Sequence, residues 1–190
     1  TSDEHQEIRD AVRKLCCAFP DEYFRAIDKE RGYPEAFVDA LINDGWLSAM
    51  IPEEFGGSAL GLTAASVIME EINRSGGNAG AVHGQMYNMS TILRNSNRAQ
   101  KEKYLPSIAS GELRIQSMAV TEPTTGSDTT MLKTSAVKKD GRYVVNGQKV
   151  WISRVQHSDL MILLARTTPL ADVKKKSEGM SIFIVDLRDA

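Results

Sequence analysis

This 190-residue chain holds two cysteines, three histidines and 6% aromatic residues, a thin supply of the side chains that build disulfide frameworks, metal sites and stacking platforms. The cysteines, Cys16 and Cys17, are neighbours, so they cannot staple distant segments, and a disulfide-dependent secreted scaffold is excluded. They point to a reducing compartment. On a predicted helix one of the pair belongs in a core and the other at a surface or interface. Only Arg13 and Lys14 on that helix could activate a catalytic thiol there, which makes that reading the weaker one. His5, His83 and His157 are scattered and show no metal-ligand spacing. Charge of one sign is also lacking: 23 basic against 25 acidic residues leave a net charge of −2. The longest basic run, Lys174-Lys175-Lys176, reads as a solvated loop, so no nucleic-acid or membrane partner is expected. No apolar run approaches the roughly 18 residues of a spanning helix, and the N-terminus has none of the three regions of a signal peptide. The expectation is a soluble protein, cytoplasmic in a bacterium or in the mitochondrial matrix if a presequence has been removed.

At 42% hydrophobic and 25% charged residues the chain has the makeup of one or two globular domains. Its periodicity changes once. Up to about Gly111 apolar residues recur every three or four positions, as in Ile8, Val12, Leu15 and Phe19, or Phe37, Ala40, Leu41 and Trp46. Pro34 marks a first turn, Asp44-Gly45 an end, Thr63 a cap, and Gly56-Gly57-Ser58 and Gly76-Gly77-Asn78 breaks. Further helices are predicted from Asn78 to Arg94 and from Arg98 to Ser110. Beyond Leu113 the period is two, with strands predicted around Ile115–Val120, Leu132–Val137, Tyr143–Val145, Val150–Ile152, Leu160–Ala165 and Ser181–Val185. Asp140-Gly141 and Asn146-Gly147 read as hairpin turns. Helices followed by antiparallel strands indicate an α+β chain with an all-α domain at 1–113 and a β-domain at 114–190.

The most informative stretch is Met118-Ala-Val-Thr-Glu-Pro-Thr-Thr-Gly-Ser127, answered two dozen residues later by Trp151-Ile152-Ser153. An apolar strand delivers Thr121 into a turn set by Pro123 and Gly126. There, exposed backbone amides and the hydroxyls of Thr121 and Ser127 can meet carbonyl and phosphate oxygens. Trp151 and Ser153 return an indole and a hydroxyl to the same edge. Each piece alone is an ordinary polar turn or strand; together at this spacing they read as a flavin cradle. Glu122 and Asp128 are read first as turn-bonding and capping residues, and only second as catalytic.

These segments resemble the acyl-CoA dehydrogenase family. Ile51-Pro-Glu-Glu-Phe-Gly-Gly57 with Leu60-Gly-Leu62, Gln100-Lys-Glu-Lys-Tyr-Leu-Pro106 and Asn146-Gly-Gln-Lys-Val-Trp-Ile-Ser153 agree with it in order, over about Asp3 to Asp186. Two departures stand out: Thr124-Thr125 replaces a glycine-alanine pair, and Arg154 stands where an asparagine is more common. Threonine resists positive φ, which leaves the path from Pro123 to Gly126 open.

The resemblance implies a helical domain followed by an antiparallel β-barrel-like domain, with a C-terminal helical domain expected beyond residue 190 to supply the catalytic base. It implies FAD held by Met118, Val120, Thr121, Gly126, Ser127, Trp151, Ile152 and Ser153. Ser153 would face the reactive ring nitrogen, Trp151 would pack on the ring face away from substrate, and Ser127 would serve the pyrophosphate and the substrate's pantetheine arm. It implies dehydrogenation of an acyl-CoA thioester to trans-2-enoyl-CoA, electrons passing to an electron-transfer flavoprotein, and a homotetramer. Ala79, Gly80, His83 and Tyr87, on the helix that lines the acyl-tail cavity in this fold, are candidates for substrate contact. With His83 and Tyr87 limiting depth, short, medium or branched acyl chains are expected. The competing readings are a flavin oxidase or monooxygenase of the same fold, and a catalytically silent scaffold.

Overall fold

The computed structural model describes residues 5–188, in two compact units, Thr1–Arg114 and Ile115–Ala190. The first is helical: α1 (Gln6–Cys16), α2 (Asp21–Glu30), α3 (Glu35–Asn43), α4 (Leu62–Arg74), α5 (Gly80–Asn95) and α6 (Arg98–Ala109). Its core gathers stripes from α1, α3, α4 and α5, with Val12, Phe37, Leu41, Ile68, Ile72 and Val82 all fully buried, as amphipathic helices require. Phe19, Tyr23, Phe24 and Phe37 meet edge-to-face at 5.1–5.2 Å. Two of these rings, Tyr23 and Phe24, lie on α2, a helix that the apolar spacing did not disclose because none of its residues is fully buried. Cys16 is buried and Cys17 exposed. Burial pushes the Cys16 thiol up, away from reactivity.

Punctuation acts largely as expected, with one shift. Asn97 and Gln100 exchange side-chain and backbone bonds in a capping box that starts α6. Thr63 is not a cap: α4 begins at Leu62 after Gly61, with no side-chain cap bond.

The second unit is a five-stranded sheet of β1 (Ser117–Ala119), β2 (Ser135–Lys139), β3 (Arg142–Asn146), β4 (Leu160–Arg166) and β5 (Met180–Asp186). The helical-then-sheet layout is the expected one. Pairing inside the sheet is mixed: β2–β3 and β4–β5 are antiparallel, while β1 and β2 run parallel to β4. β4 carries the continuous apolar run Leu160-Met-Ile-Leu-Leu-Ala165 and takes the central place such a run favours. Asp140-Gly141 forms the β2–β3 hairpin with φ of 50° and 78°, the two positive values of a tight hairpin turn.

Two sequence expectations fail here. Asn146-Gly147 closes no hairpin, because β3 ends at Asn146 and the next strand, β4, starts only at Leu160. Gly147 is needed for close approach instead: a Cβ there would lie 2.3 Å from the Thr134 hydroxyl oxygen. Val150–Ile152 is irregular rather than a strand; its three consecutive apolar residues serve a loop.

Candidate functional site

β1 runs through Met118 into Val120 and Thr121, all half-buried. The chain then reverses sharply: Glu122 and Thr125 exchange amide-to-carbonyl bonds of 2.9 and 3.1 Å around Pro123-Thr124. Neither threonine adopts positive φ, so the replacement of glycine and alanine costs the turn nothing. Thr125 is buried and its hydroxyl donates to the Met131 carbonyl. Gly126 and Ser127 follow, exposed, and a Cβ on Gly126 would meet nothing within 4 Å.

The loop 147–154 lies against this edge. The Val150 amide donates to the Thr121 carbonyl at 3.0 Å, and the Lys149 ammonium reaches the Val120 carbonyl at 2.9 Å and Glu122 Oε1 at 3.0 Å. Two segments 27 residues apart are thereby clamped. Trp151 emerges from the clamp 89% exposed and at φ 60°. A bulky residue rarely adopts that conformation, and an indole seldom stays so uncovered. Among the described residues the indole is therefore no part of a core. Ile152 is half-buried and Ser153 exposed. Among the described residues the hydroxyls of Thr121, Ser127 and Ser153 make no hydrogen bond to the protein. Five of the predicted residues (Met118, Val120, Thr121, Trp151 and Ser153) are thus gathered at one edge, with polar atoms to spare.

The two carboxylates have structural employment. Glu122 is buried and accepts the amides of Lys133 at 2.7 Å and Thr134 at 2.9 Å. Burial pushes its carboxyl up, but the two amides and Lys149 outweigh that and lower it to about 2. An acceptor this fully engaged is a poor proton acceptor. Asp128 bonds the Thr130 hydroxyl and amide, and that hydroxyl bond leads the lowering of its pKa. It caps the turn at Thr129–Met131.

In the helical unit His83 and Tyr87 meet edge-to-face at 5.0 Å. Both line a cleft of about 410 Å³ whose floor includes Met50, Leu62, Met69 and Met86. Ala79 and Gly80 do not line it. Ala79 is buried in the core, and at the start of α5 the amides of Ala79 and Gly80 donate to asparagine side chains, those of Asn73 and Asn78 respectively. The face drawn from the spacing of 79, 83 and 87 therefore splits at the helix start. Among the described residues no group of three or more metal-ligating side chains occurs, and no helix is long and apolar enough to cross a membrane.

Lys149, Ser117 and Ser158 were not singled out from sequence. Lys149 stands inside the Asn146–Ser153 motif, which was the available signal. The serines carry none, because their role depends on which carbonyls the fold brings to them.

Comparison with known proteins bears on the whole chain. A family model described as "Acyl-CoA dehydrogenase, N-terminal domain" matches residues 2–112, and one described as "Acyl-CoA dehydrogenase, middle domain" matches residues 117–190. The mitochondrial isovaleryl-CoA dehydrogenase of Pongo abelii is 37% identical over 189 residues, covering 97% of this chain and 44% of that protein. A crystal structure of an acyl-CoA dehydrogenase from Geobacillus kaustophilus superposes with a TM-score of 0.87 at 30% identity, over 98% of this chain and 49% of its own. An acyl-CoA dehydrogenase complexed with FAD from Bacillus anthracis superposes at 0.80 with 28% identity, over 98% of this chain and 32% of its own. The chain spans less than half the length of each of these three proteins.

Proposed function

The chain belongs to the acyl-CoA dehydrogenase family, and from that premise we propose that it serves the FAD-dependent α,β-dehydrogenation of an acyl-CoA thioester to a trans-2-enoyl-CoA. The observation that carries this reading is the uncovered Trp151, held at φ 60° beside the unengaged hydroxyls of Thr121 and Ser153. Strained, exposed and clamped from behind, the indole has the features of a residue kept for a planar ligand. These side chains fit a flavin. Trp151 and Ile152 offer an apolar face, Thr121 and Ser153 offer hydroxyls, and Met118 and Val120 offer walls. Open space at Gly126 and the hydroxyl of Ser127 suit a pyrophosphate. Bound there, the flavin would supply hydride acceptance, which no side chain provides.

The protein's own contribution is to hold and orient. The Lys149 clamp fixes the register of the two cradle segments, and Ser153 directs a hydroxyl to where charge develops. Glu122 does not serve as the base, its carboxylate being engaged by the Lys133 and Thr134 amides and the Lys149 ammonium; in keeping with the family resemblance, the base is proposed to come from outside these residues. His83 and Tyr87 favour short, medium or branched acyl groups, since two rings crowd that stretch of the α5 surface. An electron-transfer flavoprotein as acceptor and a homotetrameric enzyme are part of the same proposal.

Anaerobic titration of the flavin absorbance of the whole enzyme, of which these residues are proposed to be a part, with a panel of acyl-CoAs tests it. Bleaching by a branched or medium-chain thioester is expected. In Ser153→Ala the reduction should slow by roughly ten- to a hundredfold while acyl-CoA affinity changes little, because a hydrogen bond to a charge-developing group is worth about 1.5–3 kcal/mol. A purified protein with no flavin spectrum, or reduction unchanged in Ser153→Ala, would overturn it.

A further inference from the structure

Behind the exposed edge of the cradle lie two serines that the reaction does not touch. Ser117, on β1, is fully buried. Its hydroxyl lies 2.9 Å from the Ser153 carbonyl and 2.9 Å from the Ser158 hydroxyl. Ser158 also lies 3.1 Å from the Arg154 carbonyl and receives the Gln116 amide at 3.2 Å. Two hydroxyls carry two protons, yet three oxygen–oxygen contacts ask for one. The Arg154 carbonyl already receives the His157 amide at 3.0 Å, so it can do without Ser158. One contact must go without a proton, and the longest of the three, 3.1 Å to the Arg154 carbonyl, is the least costly; that leaves a chain: Gln116 amide to Ser158, Ser158 to Ser117, Ser117 to the Ser153 carbonyl. Hydrogen bonds in such a chain polarise and strengthen one another.

The geometry points to Ser117 and Ser158 as a positioning pair that fixes the turn at Ser153-Arg154 and, through it, the directions of Trp151 and Ser153. The turn needs such a hold. Trp151 and Arg154 both sit at positive φ, 60° and 58°, a conformation that each would leave if the Ser153 carbonyl were free to rotate. Neither serine contacts substrate or cofactor in this scheme; they act through the peptide between Ser153 and Arg154. The orienting role toward the flavin rests on the proposed function above, whereas the hold on the turn does not.

The test therefore has two readouts. In the protein without cofactor, hydrogen exchange at the Val150 and His157 amides, which bond to the Thr121 and Arg154 carbonyls, reports opening of the turn. Ser117→Ala is expected to speed this exchange roughly three- to tenfold, the loss of one net hydrogen bond, with exchange in the β4–β5 ladder unchanged. Ser158→Ala should do the same, and Ser158→Thr, which keeps the hydroxyl, should restore slow exchange. In the flavin-loaded protein the alanine variants should shift the flavin reduction potential and lower kcat at nearly constant KM. Exchange at 150–157 that stays at the wild-type rate in both alanine variants overturns the pair, whatever the flavin does. Faster exchange with an unmoved potential and kcat, where Ser153→Ala moves both, overturns its orienting role. A wild-type whole enzyme that takes up no flavin overturns the proposed function instead, and the exchange result alone then decides the pair.

Discussion

Glu122 gives the sharpest pH dependence to expect of a single residue. Its carboxyl is lowered from 4.5 to about 2 in the folded chain, so folding favours the ionised form. The stability it contributes is fully present above the unfolded pKa near 4.5 and is lost as pH falls through about 2. A shift of this size corresponds to something on the order of 3 kcal/mol. Urea unfolding between pH 7 and pH 2 should show a steeper loss below pH 4.5 in the wild type than in Glu122→Gln, which starts less stable at pH 7. Parallel curves would show that the amides of Lys133 and Thr134 do not depend on the charge. Arg154 makes the opposite case. It holds φ at 58°, a region where asparagine is enriched and arginine is not, and its Nε is buried without a hydrogen-bond partner among the described residues. Arg154→Asn should raise stability by about 0.5–1 kcal/mol, read as a higher urea midpoint at unchanged slope.

At the scale of elements, α1 and α4 are joined by a carboxylate that water barely reaches. Glu71 has a side chain only 1% exposed, and it accepts Arg13 Nε at 2.8 Å and Arg9 Nη1 at 3.4 Å. The neighbouring pair of Arg9 with Glu70 at 2.7 Å lies at the surface of the same seam. Glu71→Ala should cost about 2–4 kcal/mol, since it removes charged hydrogen bonds and leaves a hole between the two helices. Arg25→Ala, which removes pairs whose partners are both largely exposed, should stay within about 0.5 kcal/mol. Equal effects in thermal unfolding would mean that burial of Glu71 does not govern its worth. The β2–β3 hairpin shows the converse condition. Val137, Tyr143, Val144 and Val145 are all 44% exposed or more, so this element has apolar side chains on both of its faces that the described residues leave uncovered.

For the molecule as a whole, the division of labour follows from what each residue is already doing. The cradle has unengaged hydroxyls, but the carboxylates beside it, Glu122 and Asp128, are bound to amides, a hydroxyl and a lysine. Residues 1–190 expressed by themselves should therefore show no acyl-CoA-dependent dye reduction with added FAD and should hold FAD weakly. Turnover would place a base within these residues, and Glu122→Gln would be the first variant to examine.

Local rules of the chain were enough to settle the change from helix to sheet near residue 114, the start of α6 at Arg98, the Asp140-Gly141 hairpin and the split fates of Cys16 and Cys17. Each of these depends on neighbours within a few positions, through periodicity, turn chemistry or amphipathic placement. The motif at Met118–Ser127 and the one at Asn146–Ser153 were legible for the same reason, as strings. Their meeting was not. The bond from Val150 to Thr121 and the reach of Lys149 to Glu122 join residues 27 to 29 positions apart, and no local preference specifies such a contact. Tertiary structure likewise decided that Val150–Ile152 would be a loop rather than a strand, that Gly147 would yield space to Thr134 rather than turn a hairpin, and that Ala79 would be core. In each case packing against a distant segment overrode a local pattern that was ambiguous in energy by about 1 kcal/mol or less.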